Sequence, residues 1–223
     1  MPRASRSTRS AATRAGSTSR RGPSSTCSRR CLGAGLFDGL HVDVEPHAQP
    51  GWTGDQARVG ERFLDLLRVL ADHTRPATTL KADTAWWFHR IAAGNSSHNR
   101  EVLQRLDAVT VPAYRKHATG IDGTIALATA QVRAAAELRR PIRIGQETTH
   151  LGNSPDDRKQ TFHDHTQRPV ERELRIVERA FAGSPTCPGL ATTTTPATRQ
   201  WLPSLVPRAD SGGAACARRR QRA

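Results

Sequence analysis

Between residues 36 and 193 the apolar positions change period repeatedly, from two residues to about 3.6 and back. The first stretch, 36–45, alternates. Leu40, Val42 and Val44 fall on one side and His41, Asp43 and Glu45 on the other, which predicts a strand stopped by Pro46. Residues 54–72 set Val59, Phe63, Leu66, Leu67 and Leu70 at helical spacing. A second strand is predicted over 79–87, a polar loop over 94–97 and a short helix over 100–106. The third strand, 108–111, runs on to Tyr114. Residues 121–139 read as a helix stopped by Pro141, and 142–147 as the fourth strand. A helix over 169–182 carries Val170, Leu174, Val177 and Phe181 on one stripe and ends at Gly183. A fifth strand is predicted over 189–193. Strands alternating with helices define an α/β chain with parallel strands, arranged either as a barrel or as a doubly wound sheet.

The net charge of +14 alters this picture less than its size suggests. Residues 1–30 hold eight Arg and no acid, and residues 199–223 hold six Arg and one acid, Asp210. The interval between them is left with a net charge of +1. A basic face on a folded domain would point to nucleic acid. Charge confined to two low-complexity ends does not, and no nucleic-acid partner is expected. Those ends, 1–31 and 196–223, lack the apolar residues that would offset ordering entropy. Both are expected to be disordered, with 32–195 the domain between them. GC-rich coding DNA read out of frame gives the same composition, so frameshift or start-site errors are a second origin for the ends. A transit peptide also fits the acid-free opening.

No apolar run reaches the ~20 residues of a membrane span. No apolar stretch follows the first basic residues, as a secretory signal requires, so the expected location is cytoplasmic by default. Cys27, Cys31, Cys187 and Cys216 match no zinc-ribbon or finger spacing. Neither a disulfide framework, nor a metal site, nor a cofactor is expected.

The chemistry concentrates in the first strand. Three ionisable groups on one face of a buried strand are costly unless they line a polar site. Pro46 places Glu45 at the strand's C-terminal tip, the end at which barrel enzymes carry their catalytic groups. The segment Asp38-Gly39-Leu40-His41-Val42-Asp43-Val44-Glu45 resembles the fourth-strand signature of the family 18 (chitinase-like) glycoside hydrolases, DGxDxDxE. Asp38, Asp43 and Glu45 take three of its four acidic positions, and His41 takes the other. Val109-Thr110-Val111-Pro112-Ala113-Tyr114-Arg115 is similar to that family's sixth-strand segment, which supplies a tyrosine. Pro112 stands there where methionine is usual, and Arg115 where an acid is common. Ile144-Gly145-Gln146-Glu147-Thr148 takes the seventh strand's place, and the strand-eight tryptophan that floors the sugar has no evident counterpart. Taken together these segments resemble more closely a group of bacterial barrel proteins related to those hydrolases.

The resemblance implies a partial TIM-type (β/α) barrel, about strands 4 to 8, and a glycosidase acting on N-acetylhexosamine-containing polysaccharide. In such enzymes the substrate's own N-acetyl group is the nucleophile, so one protein acid suffices. By resemblance Glu45 is that acid. Asp43 would raise its pKa and steady the oxazolinium intermediate, and Tyr114 would bind the acetamido group. Asp38, His41, His47, Trp86, Arg115 and Glu147 are the substrate-binding candidates, with carbohydrate the implied partner. His41 either replaces the missing acid as a partner of Asp43 or marks lost proton shuttling.

Each candidate has a plainer reading. Asp43 and Glu45 suit a salt-bridged pair at a strand end. Of Trp86 and Trp87, adjacent on a predicted strand, one ring should face the barrel and the other the helices, and either suits core packing as well as sugar stacking. His47, Lys81, Arg115 and Glu147 suit solvated loop positions. His163-Asp164-His165 lacks a third ligand at a recognisable metal spacing, and His73, His89, His98 and His117 read as surface histidines. A full barrel needs eight βα units, and only 35 residues precede Leu36, so an incomplete domain is expected.

Overall fold

The computed structural model describes residues 11–14, 39–75, 78–186 and 189–192. Asp38, all four cysteines and the remainder of both basic ends lie outside these residues. The chain divides into two compact units. The first comprises residues up to Thr84 together with Arg90–Val109, and the second Ala85–His89 with everything from Thr110 onward.

The first unit is built on β1 (Ala11–Arg14), β2 (Gly39–Asp43), α1 (Gln56–Thr74) and β3 (Thr79–Asp83). A short hairpin of β4 (Ala92–Ala93) and β5 (Ser96–Ser97) leads into α2 (His98–Arg105). β2 pairs in parallel with both β1 and β3. The strand Ala11–Arg14 falls inside the segment expected to be disordered. It lies along an edge of β2 whose N–H and C=O groups need partners. β2 ends at Asp43 rather than at Glu45, because Pro46 has no N–H to give a ladder and opens a 3-10 turn over Pro46–Ala48.

The Asp55 carboxylate starts α1 by accepting from the Arg58 N–H at 3.0 Å. The helix buries Gly60, Phe63, Leu64, Leu67 and Ala71. Its inward stripe is thus rotated from the expected one, and Leu66 stays 40% exposed. Asp107 ties the end of the unit to its sheet. It accepts from the Leu80 N–H at 2.8 Å and from Arg75 Nη2 at 3.0 Å, while its own N–H reaches the Leu80 carbonyl.

β6 (Ala108–Pro112) begins with the last residues of the first unit and continues into the second. There follow α3 (Thr124–Glu137), β7 (Ile142–Gln146), α4 (Pro155–Gln160), α5 (Gln167–Phe181) and β8 (Gly189–Thr192). β7 lies between β6 and β8, and pairs with β8 in parallel. Phe162, Val170 and Leu174 form a core cluster with Leu190 packed against it. Each fully buried side chain of this size contributes about 1.5–3 kcal/mol.

Parallel strands joined by helices make the fold class α/β, the strand–helix order of part of a TIM-type (β/α) barrel. Among the described residues no helix is long and apolar enough to cross a membrane.

Candidate active site

In the first unit, strand alternation produces one apolar and one polar face. Val42, Leu80 and Ala82 are buried on one side of β2 and β3. His41 and Asp43 on β2, with Lys81 and Asp83 on β3, are half-buried on the other. Gly39 keeps the start of this pairing uncrowded. It sits in register with Thr79, and a Cβ there would overlap the Thr79 hydroxyl. His41 Nε2 lies 2.9 Å from Asp83 Oδ1, so the imidazole's partner is on the neighbouring strand. Asp83 is a functional candidate that motif and hydrophobic pattern do not single out. The alternation Leu80, Lys81, Ala82, Asp83 places it on the face of Lys81, but nothing in that segment alone shows that His41 lies across from it.

Glu45 follows the strand by two residues and caps the 3-10 turn without a side-chain hydrogen bond. It is exposed, so the expected buried carboxylate pair on a strand is not what forms: Asp43 is half-buried in the ladder and Glu45 lies beyond it. His47 is exposed in that turn, with its ring 6.4 Å from Trp52 in an edge-on contact.

The second unit holds the other candidates. Trp86 and Trp87 lie in a turn after β3, not in a strand, so the expected opposition of their rings across a sheet does not apply. Phe88 is what this turn buries, and Trp87 packs on it edge-on at 5.1 Å. Tyr114 is half-buried just past β6. Its ring lies over β7 at Gly145, where a Cβ would stand in ordinary contact with it at 3.4 Å.

Arg115 and Glu147 are buried and occupied internally. Arg115 donates to the Tyr114 carbonyl and to Asp122 Oδ1, each at 2.7 Å. That bond, with Lys159 nearby, holds the Asp122 carboxyl below the usual carboxylate range. Glu147 Oε1 accepts from the N–H groups of Thr148 and Thr149 at 2.7 and 2.6 Å, and from the Thr149 hydroxyl at 2.7 Å. Both side chains therefore shape loops at the C-terminal ends of β6 and β7, and neither is a solvated loop position.

His98 is not a surface residue either. It is 1% exposed, where α2 docks against Gly60 and Phe63 of α1, and burial pushes its pKa down to about 4. His163 and Asp164 are exposed, and their side chains stand 3.8 Å apart. Among the described residues no group of three or more His, Cys, Asp or Glu side chains is arranged to hold a metal ion.

No family model matches the chain, and no curated protein matches it. It is similar to the solved structure of a chitinase from Chromobacterium violaceum, at 18% identity and a TM-score of 0.36, over 56% of this chain and 40% of that one. It is also similar to the spore cortex-lytic enzyme SleL of Bacillus cereus, at 14% identity and a TM-score of 0.38, over 58% of this chain and 31% of that one. The SleL of Bacillus megaterium gives 14% and 0.35, over 62% and 37%. The match thus spans well under half the length of each solved protein.

Proposed function

We propose that the chain belongs to a glycoside hydrolase acting on N-acetylhexosamine-containing polysaccharide, with Glu45 as the acid that protonates the leaving oxygen. The observation carrying this reading is the polar strand-end face. His41, Asp43, Lys81 and Asp83 are half-buried on one side of two parallel strands, and Glu45 follows at the C-terminal end of β2. Cleavage of a glycosidic bond needs such an acid while oxocarbenium charge develops, and carboxylates close by to stabilise that charge. Asp43 is assigned the second role. Tyr114 rests on the resemblance of its segment alone.

A second reading, a non-catalytic carbohydrate-binding or vestigial fragment, is favoured by two observations. Glu45 is exposed, and Arg115 and Glu147 are already occupied by their own loops.

Release of a chromogenic leaving group from an N-acetylglucosaminide by wild type and Glu45→Gln separates the two. The hydrolase reading expects turnover that falls about 100-fold or more in the variant. Equal rates in both proteins would end it, and sugar binding without turnover in either would establish the second reading.

A further inference from the structure

His41 stands where the motif it belongs to would carry an acid, and its Nε2 is engaged at 2.9 Å by Asp83 from the adjacent strand. An ionised carboxylate only accepts, so Nε2 carries the proton of the neutral ring and Nδ1 is left as its basic nitrogen. The β2–β3 register runs Leu40 to Leu80, His41 to Lys81 and Val42 to Ala82. On its other side β2 pairs with β1, where Asp43 is in register with Arg14. Among the residues whose side chains are described, the titratable groups of this face are His41 and Asp43 from β2 and Lys81 and Asp83 from β3. The side chains of His41 and Asp83 are 20% and 29% exposed, so the pair is partly shielded from water.

We propose that Asp83 is a positioning residue of this site. It supplies from the neighbouring strand a carboxylate that β2 lacks at position 41, and it fixes the tautomer and direction of His41 on the face that carries Asp43. The orienting of an imidazole by a carboxylate on its far nitrogen is a general device in sites where the other nitrogen must act. The consequence for catalysis rests on the glycosidase reading, whereas the consequence for His41 does not.

Two readouts on the full-length chain keep these separate. In protein labelled with 15N-histidine, the His41 imidazole is assigned by its loss in His41→Gln, and its nitrogens are observed at a pH where the ring is neutral. Wild type is expected to show the Nε2–H form alone. Asp83→Ala should show a mixture of both tautomers, as should Asp83→Asn, whose amide donates as well as accepts, whereas Asp83→Glu, which keeps a carboxylate, should restore the single form. An unchanged His41 spectrum in Asp83→Ala overturns the proposal. With a chromogenic N-acetylglucosaminide, Asp83→Ala should lower kcat about tenfold or more, leave KM within about threefold and move one limb of the pH profile. Asp83→Glu should recover more of that rate than Asp83→Asn. Unmoved kcat and pH profile in an active wild type also overturn the proposal. Absence of turnover in wild type, with the tautomer still responding to Asp83, ends the glycosidase reading and leaves the Asp83–His41 assignment standing.

Discussion

At Glu147 three donors from the next two residues converge on one carboxylate oxygen, and the Glu147 carbonyl accepts from the Phe162 N–H at 2.9 Å. Removing that carboxylate strands buried donors, each worth about 1–3 kcal/mol when unsatisfied. Glu147→Ala is therefore expected to cost about 3 kcal/mol in urea unfolding, and Glu147→Gln, which keeps an oxygen, clearly less; equal stability in all three proteins would refute this role. The run Glu147-Thr148-Thr149 offered the signal, because threonines after a strand-end acid bring their own donors, but hydrophobic pattern does not register such local bonds. His98 escaped the pattern for a related reason: a polar residue at the start of a short helix looks solvated until its neighbour, Gly60 on another helix, is known. Its consequence is a dependence of stability on pH. The unfolded ring takes up a proton near pH 6.5, whereas the folded one does so only near pH 4. Between those values the unfolded state binds more protons, so stability falls as pH drops, by about 3 kcal/mol once pH is below 4. Chemical unfolding at pH 7.5 and 4.5 should show this fall in wild type, and His98→Gln should flatten it.

Elements were more legible than their ends. The helical stripe of residues 169–182 and the alternation at residues 40–43 translate directly into α5 and β2, since burial of one face sets both patterns. What pattern could not place was where strands stop. β3 ends at Asp83 because the next residues turn to bury Phe88, and β2 ends at Asp43 because of Pro46. Short-range packing also decides which glycines matter. Gly123 caps the start of α3, and a Cβ there would overlap the carbonyl oxygens of Ala118 and Thr119, which are backbone and cannot rotate away. Gly183, past the end of α5, has open space around the same position. Gly123→Ala should thus cost about 1–3 kcal/mol, and Gly183→Ala should be neutral or raise stability by about 0.5 kcal/mol. Thermal unfolding of the two variants side by side checks the contrast; similar midpoints would count against it.

For the molecule as a whole, charge and chemistry are separated along the chain. The basic excess belongs to residues 1–30 and 199–223, while the polar face of β2 and β3 carries acids, a histidine and one lysine. Retention on a heparin column should therefore drop markedly when Arg218, Arg219, Arg220 and Arg222 are replaced by Gln, and should be unaffected by Asp43→Asn. The α/β class and the strand that leads to Glu45 are readable from period and motif, though Glu45 itself lies past the strand's end. The partner of His41 was not, because cross-strand register depends on pairing that no single segment encodes. Protonation of a leaving oxygen, the role proposed for Glu45, matters most when the leaving group is a poor one. The most direct measurement is kcat/KM of wild type and Glu45→Gln on two N-acetylglucosaminides, one with a dinitrophenyl and one with a sugar leaving group. With Glu45 as the acid, the loss is about 100-fold or more on the sugar and far smaller on the dinitrophenyl glycoside. An equal loss on both, or none on either, would contradict that role.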